Sequence, residues 1–200
     1  MAGITSATSG NSSATSPLTV VWAYDQQTAD LASTSSGFNI NGRSASNTTG
    51  VSTQGAGLAN LGDINGDGYD DFILRDATSA YLVYGRPGLA NVELSTLQTA
   101  GNTNGFIING TASTMVSVGG DINGDGLNDI IVNGASTTAY VYFGQTSSPG
   151  SVALSSFAAS NGYTITAPAA IQSTSVIGDV NGDGLADLLV GTKIEIGRAS

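Results

Sequence analysis

Asp63-Ile64-Asn65-Gly66-Asp67-Gly68-Tyr69-Asp70-Asp71 returns as Asp121 to Asp129 and again as Asp179 to Asp187, so one nine-residue stretch occurs three times in 200 residues. Side-chain oxygens stand at positions 1, 3, 5 and 9 of every copy, with glycine at positions 4 and 6. The copies start at 63, 121 and 179, a spacing of 58 residues both times. A repeat just above 50 residues points to propellers or stacked arrays rather than one irregular domain.

The pattern is that of a calcium loop. Calcium is a hard cation that takes six to eight oxygens at roughly 2.3–2.6 Å, and a short loop converges that many only if alternate residues point inward. In the first copy Asp63, Asn65 and Asp67 alternate, the two glycines permit a sharp turn, the Tyr69 carbonyl follows and Asp71 closes the set. The second set is Asp121, Asn123, Asp125, the Leu127 carbonyl and Asp129. The third is Asp179, Asn181, Asp183, the Leu185 carbonyl and Asp187. The bland alternative is plain turn sequence, since Asn-Gly and Asp-Gly are strong hairpin signals. Three copies, each with the ninth-position Asp, weigh against it. An EF-hand loop begins the same way but places its bidentate acid at position 12 on a helix. Position 12 here is Leu74, Val132 and Val190. The runs that follow, Phe72-Ile-Leu, Ile130-Ile-Val and Leu188-Leu-Val, are of strand type, so each loop is expected to join two strands.

Around each loop the remaining strands fall into place. A short strand precedes it (Gly57 to Leu61, Met115 to Val118, Ser175 to Ile177). The apolar run after it suits a strand buried on both faces. Then come Ala80 to Gly85, Ala139 to Gly144 and Lys193 to Gly197, rich in β-formers. The last strand is Gly105 to Gly110 and Gly162 to Ala167, with an earlier counterpart in Gly37 to Gly42. Four short antiparallel strands per repeat predict an all-β fold of β-propeller blades, the loop lying between the first and second strand. The expected divisions are a low-complexity flexible lead at 1–16, a partial blade at 17–56, blades at 57–110 and 111–167, and a partial blade at 168–200. Leu94-Ser-Thr-Leu and Leu154-Ser-Ser-Phe read as loop with apolar anchors, too short for a stable helix.

A strand, a D-x-N-G-D-G-x-x-D loop, an apolar strand and a strand ending Tyr-Val-Tyr-Phe-Gly144 resemble the FG-GAP repeat. That repeat is the blade unit of integrin alpha-subunit propellers and also occurs in many bacterial secreted proteins. The resemblance covers roughly residues 57–200, with a weaker half-unit in 18–56. It implies structural Ca²⁺ in all three loops and a role in adhesion. The Gly-Ala-Pro element of that repeat is absent, its place being held by Arg75-Asp-Ala, Asn133-Gly-Ala and Gly191-Thr-Lys.

Composition narrows the function further. The net charge is −10, but nine of the fifteen acids are loop aspartates, which leaves six acids against five bases elsewhere. The acidity is metal-site acidity, and three Ca²⁺ would bring the charge to −4. Five scattered basic residues give no footprint for nucleic acid, and no stretch approaches the 18 apolar residues of a membrane span. There is no cysteine and no histidine. No pairing among Asp25, Asp30, Asp76, Glu93 and Glu195 suggests glycosidase chemistry, so a non-catalytic module is expected, with a polysaccharide lyase or hydrolase as the rival. A glycan-binding module is the third reading, but the lone Trp22 suits a core or interface as well as a sugar platform. Weak calcium sites suit the calcium-rich exterior of the cell, so an extracellular or cell-surface location is expected, although the N-terminus does not read as a signal peptide. Two complete repeats flanked by partial ones fall short of the roughly four blades a propeller needs. Two explanations follow: the chain is a piece of a longer protein, or two copies close one ring by sharing split blades. Self-association is the expectation, and a protein or glycan ligand remains open.

Overall fold

The computed structural model describes residues 3–5, 18–21, 37–42, 58–75, 78–88, 91–110, 116–134 and 137–192. Among them the fold is all-β, with fifteen strands and three short 3-10 turns. The expected third strand of the last repeat, Lys193 to Gly197, lies outside the described residues, as does Trp22.

The strands form four sheets. The second and best described contains β4 (Leu58–Gly62), β5 (Asp71–Arg75), β6 (Ser79–Val83) and β8 (Gly105–Asn109), each antiparallel to the next. The third repeats it with β9 (Val116–Val118), β10 (Ile130–Asn133), β11 (Thr138–Tyr142) and β13 (Gly162–Thr166). The fourth holds β14 (Ile171–Val176) and β15 (Leu188–Thr192). The first holds β1 (Gly3–Thr5), β2 (Leu18–Val21) and β3 (Gly37–Asn41). Apart from β2, these are the strands the sequence predicts, with two differences. Gly3–Thr5 pairs with β2, inside the segment read as a lead without fold of its own. And β14 begins at Ile171, four residues before the expected strand, its pairing with β15 interrupted by a bulge between Ile171 and Ser173.

Two further strands have no counterpart in the sequence reading. β7 (Val92–Glu93) lies between β6 and β8 in the chain, yet it pairs in parallel with β3 of the preceding sheet. β12 (Ser151–Ala153), between β11 and β13, likewise pairs in parallel with β8. Each of these two repeats thus lends a latch to the outer edge of the sheet before it. Each latch runs into a 3-10 turn, Leu94–Gln98 or Leu154–Ser156, whose Leu94, Leu97 and Leu154 are buried. The apolar anchors are as expected, although the backbone carrying them is a 3-10 turn rather than open loop.

The core lies between consecutive sheets. Phe38, Ile40, Val92, Leu94 and Leu97 meet Leu74, Tyr81, Val83 and Ile107. Ile73, Leu82, Phe106 and Ile108 meet Ile130, Val132 and Tyr142. Ile131, Ala139 and Val141 meet Ile171, Val176, Leu188 and Val190. This explains why β5 and β10 are apolar on alternate and intervening positions alike: Ile73 faces one neighbour and Leu74 the other, so a strand within a stack has no solvent side. Among the described residues the last sheet is the least covered: Leu189 is 56% exposed, whereas its 58-residue equivalents Ile131 and Ile73 are 0% and 3% exposed.

Candidate metal centre in three repeated loops

Each nine-residue stretch joins the first strand of a repeat to the second, as predicted. In the first loop Asp63 Oδ1 accepts the amides of Gly66 at 2.6 Å and Asp67 at 3.1 Å, and Oδ2 accepts Gly68 at 2.8 Å. Asn65 Oδ1 accepts Asp67 N at 3.0 Å, and Asp67 Oδ1 accepts Tyr69 N at 2.9 Å. The second and third loops reproduce these bonds through Asp121, Asn123 and Asp125 and through Asp179, Asn181 and Asp183. The amides can turn inward because the glycines at positions 4 and 6 have φ between 80° and 89° in all three loops, a region that a Cβ disfavours.

The ninth-position aspartate has a different task. Asp71 is buried, its Oδ2 accepting Ile64 N at 2.9 Å and its Oδ1 accepting Gly85 N at 2.8 Å. Asp129 does the same for Ile122 N at 2.7 Å and Gly144 N at 2.8 Å. This aspartate therefore ties the start of the loop to the end of the third strand, and the glycine closing that strand is part of the joint. Burial pushes the Asp71 carboxyl up to about 7, with the charges of Asp67 and Asp63 adding to the rise and the two amides opposing it. Burial also raises Asp129, against the pull of the Gly144 and Ile122 amides. In the exposed third loop, Asp187 keeps the bond to Val180 N at 2.8 Å, and backbone amides, that of Gly184 foremost, lower Asp179.

Successive loops dock on one another, a contact that sequence reasoning missed. Asn128 N donates to the Asp63 carbonyl at 3.2 Å, and Ala186 N donates to the Asp121 carbonyl at 2.8 Å. The Asn128 side chain reaches the Leu61 carbonyl at 3.1 Å and sits where a Cβ on Gly62 would stand. Leu127 Cδ2 lies 2.9 Å from the Cβ position of Gly66, and Leu185 Cδ2 lies 3.2 Å from that of Gly124. The available signal was the leucine at position 7 of the second and third loops, where the first loop has the exposed Tyr69.

The donor set of each loop fits a hard divalent cation in kind: three aspartates, one asparagine and one backbone carbonyl, with no nitrogen or sulfur ligand. The mutual repulsion that helps raise Asp71 is what a cation would relieve. The side-chain oxygens are turned onto the loop's own amides, however. Among the described residues no group of three or more His, Cys, Asp or Glu side chains is gathered to hold a metal ion.

The model of a family described as FG-GAP-like repeat matches residues 121–190, from the first aspartate of the second loop to the strand that follows the third. A search of curated proteins and a search of solved structures found no match. No helix among the described residues is long and apolar enough to cross a membrane, which says nothing about strands.

Proposed function

We propose, with an FG-GAP-like repeat in residues 121–190 as the premise, that this chain is a non-catalytic propeller-type module stabilised by calcium and serving extracellular adhesion or assembly. The observation that carries the reading is the identical construction of three loops at a 58-residue step, each offering only oxygen donors. The residues that would hold Ca²⁺ are Asp63, Asn65, Asp67, Asp71 and the Tyr69 carbonyl in the first loop. Their equivalents are Asp121, Asn123, Asp125, Asp129 and the Leu127 carbonyl, then Asp179, Asn181, Asp183, Asp187 and the Leu185 carbonyl. The ion would neutralise the carboxylates crowded in each loop. The chain's own contribution is the glycine-permitted turn and, in the first two loops, the ninth-position aspartate that fastens the loop to the end of the third strand.

Because successive loops dock on each other, a cation in one loop would brace the next. The stacking of sheets in chain order supports self-association as the route to a closed ring. Calorimetric titration with Ca²⁺ tests the metal reading. Three equivalents of heat and a rise in melting temperature support it, and a flat titration with an unchanged melting curve in chelator overturns it.

A further inference from the structure

The peptide unit between positions 7 and 8 of each loop carries a candidate ligand carbonyl on one side and an amide on the other, pointing opposite ways as in any trans peptide. In the second loop that amide is Asn128 N, which donates to the Asp63 carbonyl of the first loop at 3.2 Å. The same Asp63 peptide unit ends in Ile64 N, which donates to Asp71 Oδ2 at 2.9 Å. The third loop treats the second alike: Ala186 N donates to the Asp121 carbonyl at 2.8 Å, and Ile122 N donates to Asp129 Oδ2 at 2.7 Å. Two peptide units in series thus run from the seventh-position carbonyl of one loop to the ninth-position carboxylate of the loop before it.

Neighbouring groups hold each relay in place. Leu127 and Leu185, whose carbonyls head the two relays, lay their side chains over Gly66 and Gly124 of the preceding loop. Gln145 N donates to the Ile64 carbonyl at 3.0 Å, so the residue that passes the bond on to Asp71 is gripped from the following repeat. Among the described residues no hydrogen bond joins the first loop to the third.

We propose that these relays make the three loops a coupled series, in which a divalent cation held by one loop raises the affinity of the adjoining loop. The proposal rests on the calcium reading above and names the regulation of those sites. Two effects of opposite sign travel along a relay. Polarisation is unfavourable: with Leu127 O engaged, each N–H in the series becomes a stronger donor, and the Asp71 carboxylate has less charge left for its own site. That alters each bond by about 10–30%, a factor of about two or less in binding. Ordering is favourable: once the 127–128 peptide is fixed as a ligand, the 63–64 peptide is fixed with it, and each backbone residue already in place is worth a factor of roughly 5–30 to the adjoining site. Ordering wins. Coupling between sites is reciprocal, so filling the first loop prepares the second to the same degree.

Calorimetric titration of the full chain with Ca²⁺ tests this in three variants. Asp67→Ala, Asp125→Ala and Asp183→Ala each disable one loop at an exposed side chain that accepts a single backbone amide. Asp183→Ala keeps the first and second loops and Asp67→Ala the second and third, both adjoining pairs, whereas Asp125→Ala keeps the separated first and third. In the adjoining pairs the second cation should bind at least about fivefold tighter than the first, and in the separated pair the two should bind independently. Independent binding in all three variants overturns the proposal. Equal cooperativity in all three does so too, since it means a general stiffening of the chain. Hydrogen exchange gives a second readout in the Asp67→Ala/Asp125→Ala chain, which keeps only the third loop. Ca²⁺ should there slow exchange at Ala186 N and Ile122 N and leave Ile64 N unchanged; equal slowing at Ile64 N and Ile122 N sinks the relay. The unsubstituted chain separates the two levels. Three independent sites in it sink the coupling and leave calcium standing, whereas a flat titration sinks both.

Discussion

Asp129→Ala and Asp187→Ala remove the same residue of the same loop pattern, yet the structure assigns them different costs. Asp129 is fully buried and is the acceptor for two amides, Ile122 N at 2.7 Å and Gly144 N at 2.8 Å. Without it both donors lose their partner in a site closed to water, at about 1–3 kcal/mol each. Removing a carboxyl that burial holds above its ordinary range returns part of that, so the net loss is about 3 kcal/mol. For a chain of this length that corresponds to a fall in melting temperature of roughly 6–12 °C. Asp187 accepts Val180 N at 2.8 Å and the Asn181 side-chain amide at 3.3 Å, both at exposed positions, where water replaces the carboxylate, and the loss is under about 1 kcal/mol. The assay is thermal unfolding followed by circular dichroism, in chelator throughout, so that cation binding does not enter the comparison. Equal shifts for the two variants, or a larger one for Asp187→Ala, would refute the view that the ninth-position aspartate is a structural joint between loop and third strand.

In chelator, stability should fall as pH rises from about 4 to 7. A folded-state carboxyl raised to about 7 from the ordinary 3.8 favours the fold fully below the lower value and progressively less up to the higher one. Melting temperature against pH checks this, and the decline should shrink in Asp71→Asn. Calcium at ten times its dissociation constant should add about 1.4 kcal/mol per site, read as a higher urea midpoint, and Asp125→Ala should remove one equivalent of binding heat while the other two sites still titrate. Gly144→Ala should destabilise more than Gly126→Ala. The new Cβ at 144 would lie 2.6 Å from the Asn128 carbonyl oxygen and 2.7 Å from that of Ile64, whereas a Cβ at 126 meets nothing within 4 Å and bears only the cost of a positive φ. Urea unfolding of the two variants reads the difference directly.

The loops and the strands beside them were legible because two strong signals coincide there. Glycine at fixed positions marks the turn, and apolar runs such as Ile130-Ile131-Val132 mark strands buried on both faces. β7 and β12 were not legible: two or three residues paired in parallel with a strand dozens of positions earlier leave no local periodicity. β1 was hidden for a related reason, since Gly3-Ile4-Thr5 sits in Ser/Thr-rich sequence that carries no alternation. The early start of β14 was masked by Gln172, Ser173 and Thr174, polar residues on a strand whose sheet is only partly covered. Within the candidate site, spacing identified which residues carry oxygens but not which way they turn. Asp63 and Asp71 occupy positions of one pattern, yet the first gathers its own loop's amides while the second reaches across to Gly85. That division follows from burial, which depends on the neighbouring repeat and is not written in nine residues.

The parallel latches also set an order in time. β8 ends at Asn109, but the strand that covers its edge pairs Ser151 with Ile107, 44 positions further along the chain. During synthesis the second sheet therefore waits, one edge open, until most of the next repeat has emerged. The first and second sheets each receive their last strand from the repeat that follows. A chain interrupted between two repeats would leave the ribosome with a bare strand edge, the feature that invites aggregation in β proteins.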